Sequence, residues 1–420
     1  MFRAAPAEVG YALQVSALLW PGHPQPSLVR ATGQTPAGSA RDWWVVPSPD
    51  QPRLLVPVGS AAAERMLVRH GGSTLVRAGR RVVGWTVRNG ALTAAPLVRV
   101  RVPRSVEPAP TAEDDCRSVE ELAALVLDRA VTSGALLGPP RVNRKPVVQI
   151  FDATGLTCSF IKVGVDTLTR NLVQREAAVL TQLASARLSI VEAPQVQYAG
   201  PMRQLGVLAL APLTAAHTPA GGAAPVPVAA MAELAGSHGS YVAPLASSPF
   251  WTRLTSSAAE LEPATQTRVQ AVLGAIGARW GSVAVTFGSW HGDWAPWNMA
   301  WSGSRLQLWD WERFACDVPW GFDAVHYLAQ PVRHRAAAAD SGEATFLTEA
   351  AVLLSQLNPP GPLDPQVVLV VYLVEIALRL LSSMRLSEDG AVNQGGNHAA
   401  PRPRALWALG LAERLVGRAE

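Results

Sequence analysis

Lysine is almost missing from this chain. Of 36 basic side chains among 420 residues, only Lys145 and Lys162 are lysine, so arginine serves nearly everywhere a surface cation is wanted. Where a lysine persists against that bias, the position asks for a compact ammonium and not a planar guanidinium. No run of basic residues concentrates the net charge of +4, which removes the usual footprint of a nucleic-acid partner. Cysteine is equally sparse: Cys116, Cys158 and Cys316 lie far apart with no CxxC pair. That argues against a disulfide framework and a structural zinc, and it fits a reducing, cytoplasmic compartment. The apolar stretch YALQVSALLW (11–20) has neither a basic leader nor a small-residue cleavage site and is read as folded structure. Charged residues are only 16% of the chain against 49% hydrophobic, enough apolar surface for a real core and two or three domains. The longest apolar run, PQVVLVVYLVEIALRLL (365–381), carries Glu375 and Arg379 one helical turn apart. It is expected to be a buried helix opening at Asp364-Pro365, with no membrane partner.

Along the chain, residues 1 to about 105 alternate short apolar runs with turn signals, among them Asn89-Gly90, and read as mostly β. The Pro- and acid-rich RSVEPAPTAEDD marks a boundary near residue 110. A helix, RSVEELAALVLDRAV, and the loop GALLGPPRVNRKP follow, then two strand-like runs, VVQIFDA and LTCSFIKVG. DTLTRNLVQREAAVLTQLA is a helix by pattern, with Asp166 as its cap and Leu172, Glu176, Val179 and Leu183 on one face. A charge on that apolar stripe calls for a partner. Two further strands, APQVQYAG and LGVLALAPL, precede an Ala/Pro/Gly-rich stretch near 214–248. A single helix is expected over SSAAELEPATQTRVQAVLGAIGARW, and mostly helical patterns run to the end.

The densest chemistry lies in HGDWAPWNMAWSGSRLQLWDWE (291–312). A strand, a Ser302-Gly303-Ser304 turn and a second strand ending in Asp310 would return Asp310 to the neighbourhood of Asn298. Three oxygen-bearing side chains then converge: Asp293, Asn298 and Asp310. So few oxygen ligands suit Mg²⁺, which keeps waters and shares phosphate oxygens. In phosphoryl transfer the set divides into a base, Asp293, and two metal ligands, Asn298 and Asp310. Lys162 in the apolar strand FIKVG and Glu176 on the next helix complete it, as a strand lysine held by a helix glutamate positions an ammonium for phosphate.

With these motifs together, the chain resembles the aminoglycoside phosphotransferase and choline kinase group of the protein-kinase-like superfamily, over about residues 120–400. The carrying residues are FIKVG, QREAAVL, HGDWAPWNM and WDWERF. The resemblance implies an α+β, bilobal protein-kinase-like fold with a β-rich small lobe and a mostly helical large lobe, plus an extra N-terminal β-rich domain. The expected divisions are 1–112 for that accessory or cap domain, 113–213 for the nucleotide lobe and 214–420 for the lobe with the catalytic and metal loops. By the same resemblance LALAPL (208–213), with Ala211 and Leu213, falls where the family's hinge takes a nucleotide base. His291 matches the histidine that holds the catalytic loop in shape, and Asp323 the later aspartate that supports it. ATP or another NTP and Mg²⁺ are the implied cofactors, and a hydroxyl of a sugar, aminoglycoside or amino-alcohol the implied acceptor.

The chain departs from the family at the phosphate-covering loop, where GxGxxG is replaced by LLGPPRVNRKP. Asn143, Arg144 and Lys145 could approach phosphates there or form an exposed basic turn. No GxxxxGK[ST] motif substitutes for it. This departure keeps open a second reading, a catalytically weak nucleotide-binding regulatory module. Metal-dependent hydrolysis would need more His or carboxylate ligands than the motif supplies. Half of the fourteen tryptophans fall between 290 and 320. Trp301, Trp309 and Trp311 are expected to pack against helices, leaving Trp294 and Trp297 as candidates for stacking on substrate. The sequence sets no oligomeric state.

Overall fold

The computed structural model describes residues 6–21, 25–30, 40–69, 98–103, 110–138, 144–213, 226–335, 340–388 and 401–417. The Asn89-Gly90 turn and Asn143 lie outside the described residues. Within them the chain forms two compact units, one from 6–181 with 194–213, the other from 182–193 with 226–417.

The first unit runs through helix α1 (Pro6–Leu19), strands β1 (Ser27–Arg30), β2 (Ala40–Ser48) and β3 (Gln51–Pro57), helix α2 (Ala61–Arg69) and β4 (Val98–Pro103). It continues with α3 (Val119–Leu127), β5 (Thr132–Leu136), β6 (Val147–Phe151), β7 (Thr157–Gly164) and α4 (Thr167–Leu183). After β8 (Val191–Glu192), which belongs to the second unit, come β9 (Val196–Met202) and β10 (Leu205–Leu210). Nine strands make one antiparallel sheet in the order β1-β4-β2-β3-β5-β6-β7-β10-β9. The expected boundary at 112 therefore falls inside a unit whose strands on either side share a sheet. The seam is the pairing of Leu54 and Leu55 on β3 with Leu136 and Ala135 on β5.

Both faces of that sheet are covered, which is why DWWVV in β2 reads as a continuous apolar run and not an alternating one. Trp43 and Val45 join a core with Val15 and Leu19 of α1 and Val119 and Leu122 of α3. Trp44 points the other way, into a second core with Met66 and Leu67 of α2. The Trp20 ring stacks on Trp43 at 4.2 Å, and both indole N–H groups end on Ser133, one on its hydroxyl and one on its carbonyl. Buried indoles keep a hydrogen-bond partner, so Ser133 fixes how α1 sits on β5.

The second unit contains α5 (Val228–Gly236), β11 (Tyr241–Pro244), α6 (Pro249–Ala259), α7 (Pro263–Trp280) and β12 (Ala284–Trp290). The hairpin β13 (Met299–Ser302) and β14 (Arg305–Leu308) follows, then β15 (Ala315–Pro319) and helices α8 (Phe322–Arg335), α9 (Asp340–Gln356), α10 (Pro365–Glu388) and α11 (Pro401–Gly417). Its strands form two small sheets, β11-β12-β15 and β13-β14-β8. The single helix expected over 256–280 is two. Pro263, lacking an N–H, opens α7, and the Glu262 carboxylate caps it by accepting from the Thr265 and Ala264 N–H groups. Helix α10 starts where expected, its first N–H groups held by Asp364 Oδ1. It is long and apolar enough to cross a bilayer by composition, and Val367–Val374 are all buried within this unit.

Candidate active site

In the first unit, Lys162 sits on β7 between Val147 of β6 and Leu208 of β10. Alternation along β7 sends Ile161 and Val163 into the α1–α3 core and Lys162 to the opposite face. There its Nζ donates to both carboxylate oxygens of Glu176, at 2.7 and 2.9 Å. Glu176 is completely buried and Lys162 nearly so. The helix that carries Glu176 is capped as the sequence implied, with Thr169 N–H on Asp166 Oδ1 at 2.7 Å. Its start presses on the end of β7 so closely that a Cβ on Gly164 would meet the Arg170 backbone at 2.6 Å.

Other expectations for this unit change. The Ala211 N–H is donated to Gln195 O at 2.9 Å, so Ala211 can offer a base only its carbonyl. Leu213 is half-buried two residues on. Arg144 is neither an exposed turn residue nor turned outward to an anion. It is buried, donates to the Leu137 and Gly138 carbonyls at 2.9 Å, and lies 3.7 Å over the ring of Tyr11 on α1. In place of flexible glycines, the entry and exit of this loop are clamped by a guanidinium stacked on an aromatic ring.

In the second unit, β12 delivers the chain into His291, Gly292 and Asp293. Gly292 has φ +80°, and a Cβ there would strike Arg313 O at 2.3 Å, so only glycine lets the loop lie against residue 313. Asp323, at the start of α8, accepts from the His291 N–H at 2.7 Å and the Gly292 N–H at 3.1 Å. Complete burial pushes its carboxyl up to about 7, while those two N–H groups pull it back down.

His291 ties two loops together. One ring nitrogen, Nε2, lies 3.1 Å from the Trp309 carbonyl, and the other, Nδ1, lies 3.2 Å from the Asp293 N–H. A carbonyl only accepts and an N–H only donates, so Nε2 carries the proton and Nδ1 is bare. Burial lowers its pKa to about 4, which keeps the imidazole neutral in that tautomer. Its ring thus bonds to the loop of Asp293 on one side and to the segment that leads into Asp310 on the other.

Asn298 is buried, and its Nδ2 donates to Asp293 twice: to the main-chain carbonyl at 2.9 Å and to Oδ2 at 3.0 Å. Both neighbours are acceptors, so the amide orientation is fixed chemically and Oδ1 is the atom left to face a cation. The hairpin closes as the sequence suggested. Gly303 takes φ +61° in its turn, Met299 pairs with Leu308, and Trp309 N–H donates to Asn298 O at 3.0 Å. Asp310 follows directly, in left-handed backbone at φ +67° and ψ +58°. A non-glycine residue held there is strained, and such strain gathers at functional loops.

Asp293 itself is 43% exposed at the side chain. Burial of the rest would raise its carboxyl, but the His326 ring beside it and the Arg379 guanidinium outweigh this and hold it at about 2. These helpers were not picked out from the sequence. His326 on α8 lies 3.5 Å from Asp293 Oδ1, and Arg379 on α10 donates to Gly292 O at 2.6 Å while stacking 4.5 Å from the Trp290 ring. Two signals pointed to them: a histidine three residues after Asp323 on one helix face, and a charge inside the most apolar run.

The tryptophans divide differently from expectation. Trp294 is fully buried, its Nε1–H on Met299 Sδ, and so is a packing residue and not a substrate platform. Trp297 is 53% exposed, and Trp301, expected to pack, is exposed as well because it faces outward from the edge strand β13. Trp311 is buried, edge-on to His291 at 4.7 Å. Among the described residues, no cluster of three or more His, Cys, Asp or Glu side chains forms a metal cage.

No family model matches the chain, and no curated protein matches it. Its structure is similar to solved kinases of small molecules. One is a thermostable mutant of aminoglycoside phosphotransferase APH(4)-Ia in complex with ADP and hygromycin B, 12% identical over 71% of this chain and 98% of that one, with a TM-score of 0.43. Another is a choline/ethanolamine kinase family protein from Mesorhizobium loti, 16% identical over 64% and 84%, with a TM-score of 0.36. A third is the amicoumacin kinase hAmiN with AMP-PNP, Ca²⁺ and Ami, 11% identical over 65% and 86%, with a TM-score of 0.36.

Proposed function

We propose that this chain is an ATP- and Mg²⁺-dependent phosphotransferase that moves the γ-phosphate to a hydroxyl of a sugar, an aminoglycoside or an amino-alcohol. The observation that carries it is the Asp293–Asn298 pair: a carboxylate kept ionised and half open to solvent, bonded to an amide whose remaining oxygen is free to meet a cation. An ionised, accessible carboxylate can accept the proton of an attacking hydroxyl, provided the acceptor docks within hydrogen-bond reach. Asn298 Oδ1 and the Asp310 carboxylate would hold the metal. With two protein ligands, the remaining positions would be left to water and phosphate oxygens, as Mg²⁺ prefers. When bound, Mg²⁺ supplies charge neutralisation to the transferring phosphoryl group. Lys162, held straight by Glu176, would meet phosphate oxygens, and the Ala211–Leu213 backbone the base. Trp297, four residues beyond Asp293 and exposed, is the side chain in the loop suited to stack on a sugar face or a quaternary ammonium.

One observation favours the second reading, a nucleotide-binding module with little catalysis. Arg144, at the exit of the loop where the family covers phosphate, is buried and donates to the Leu137 and Gly138 carbonyls. The two readings separate on incubation with labelled ATP and a panel of sugars, aminoglycosides and amino-alcohols. Transfer to a hydroxyl, lost in Asp293→Asn, supports the enzyme. An Mg²⁺-dependent rise in Tm with ATP but no transfer to any acceptor supports the module, and no rise at all removes both.

A further inference from the structure

His326 is the buried polar group next to Asp293 that the proposed chemistry leaves without a role. It is 2% exposed on α8, edge-on to the Trp290 ring at 6.1 Å and to Tyr372 at 6.0 Å. Its Nδ1 lies 3.0 Å from the Tyr372 hydroxyl of α10, and its Nε2 lies 3.5 Å from Asp293 Oδ1. The Gln330 amide, one turn further along α8, is 2.5 Å from the same Nε2.

Asp293, ionised, can only accept. A bare Nε2 would set a lone pair against a carboxylate, so Nε2 carries the proton and Nδ1 accepts from the Tyr372 O–H. Gln330 then turns its carbonyl oxygen toward Nε2, the amide orientation that this tautomer requires. The ring is thus fixed at two corners inside a packed helical core, and its one N–H lies between the Gln330 carbonyl oxygen and Oδ1 of Asp293. The other oxygen is held from the opposite side by Asn298 Nδ2 at 3.0 Å.

We propose that His326 is the positioning residue for Asp293, the Tyr372–His326 pair serving to set the rotation of the carboxylate about its Cβ–Cγ bond. Held at Oδ1 by His326 and at Oδ2 by Asn298, the carboxylate keeps one plane, and the lone pairs open to solvent point in a fixed direction. His326 does not take the transferred proton, because its Nε2 already bears one. It acts through Asp293, and the 3.5 Å contact shortens as the acceptor docks, as loose apo geometries at such sites commonly do.

The inference rests on the phosphotransferase reading for its kinetic arm and on geometry alone for its spectroscopic arm. His326→Leu keeps the volume and removes the donor, while His326→Gln restores an N–H near the place of Nε2. We expect His326→Leu to lower kcat by about 10- to 100-fold, with KM for ATP and acceptor within about twofold of wild type. His326→Gln should recover most of that loss, and Tyr372→Phe should fall between. Equal kcat in the Leu and Gln variants, or a loss carried by KM, overturns the proposal. In the full chain with ¹⁵N-labelled histidine, the spectrum should show His326 as the Nε2–H tautomer, with a hydrogen-bonded proton that moves upfield in Asp293→Ala. The Nδ1–H tautomer, or a resonance indifferent to Asp293→Ala, overturns it too. This second arm decides even if no acceptor is phosphorylated, or if His326→Leu does not fold.

Discussion

Asn298 gives both hydrogens of its side-chain amide to Asp293, one residue closing the loop on the other's main chain and carboxylate together. Asn298→Asp would replace that donor with a second carboxylate about 3 Å away, a spacing at which two ionised groups need a cation between them. Without metal the variant should lose about 1–3 kcal/mol of stability, the range for a buried hydrogen bond turned into a mismatch. With Mg²⁺ it should recover more than wild type does. Thermal unfolding with and without Mg²⁺ measures both, and an unchanged metal-free Tm would show that the amide does not hold the loop.

Lys162 and Glu176 stand or fall as a pair. Lys162→Met strands a carboxylate with no exposure at all, and breaking a buried ion pair from one side costs about 3–5 kcal/mol. Lys162→Met combined with Glu176→Leu removes both charges and should cost clearly less than the two single changes added together. Urea unfolding of the three variants closes the cycle; simple additivity would contradict the pairing.

His291 should impose a pH limb on stability. Its folded pKa, about 4, lies below the ordinary histidine value near 6.5, so the folded state resists protonation. The contribution is complete above about pH 6.5 and is lost as the pH falls through about 4, on the order of 3 kcal/mol for a fully buried ring. Asp323, raised to about 7, works in the opposite sense: its contribution is present below about pH 4 and lost as the pH rises through 7. The difference between wild type and His291→Gln isolates the histidine. That variant keeps a donor for the Trp309 carbonyl, and its unfolding free energy should vary less between pH 6.5 and 4. Identical pH dependence in the two proteins would mean that His291 is not buried neutral.

Trp294→Ala and Trp297→Ala should fail in different ways. The first empties a fully enclosed site and should cost about 3–5 kcal/mol, seen as a large fall in Tm. The second removes an exposed ring and should leave Tm within about a degree or two while raising KM for the acceptor. A stable Trp294→Ala, or a Trp297→Ala with unaltered acceptor KM, would reverse the assignments.

The candidate site residues legible in the sequence are those whose chemistry is unusual for their surroundings. Lys162 among arginines, Glu176 on an apolar stripe, and the Asp293, Asn298 and Asp310 spacing all stand out by composition or pattern. What was illegible depends on the third dimension. His326 and Arg379 come from two helices tens of residues downstream, and only packing brings them to Asp293 and Gly292. Tryptophan exposure was misjudged for the same reason. Trp294 and Trp297 sit in one loop with similar neighbours, and one is sealed while the other is open because the chain turns between them. Neither reading of Arg144, phosphate contact or exposed turn, takes in Tyr11, which lies beneath its guanidinium from more than a hundred residues earlier. The N-terminal strands were legible as β. Their union with β5 was not, since it rests on two residue pairs with no local signature.

That union has a bearing on how the chain could be shortened. Strand β3 covers one side of β5, so a protein beginning at residue 113 would present β5 with a bare row of N–H and C=O groups. Unpaired edges of this kind recruit other strands. The shortened chain should pair with its own copies or precipitate. In the full chain, Leu54 and Leu55 of β3 occupy that edge of β5.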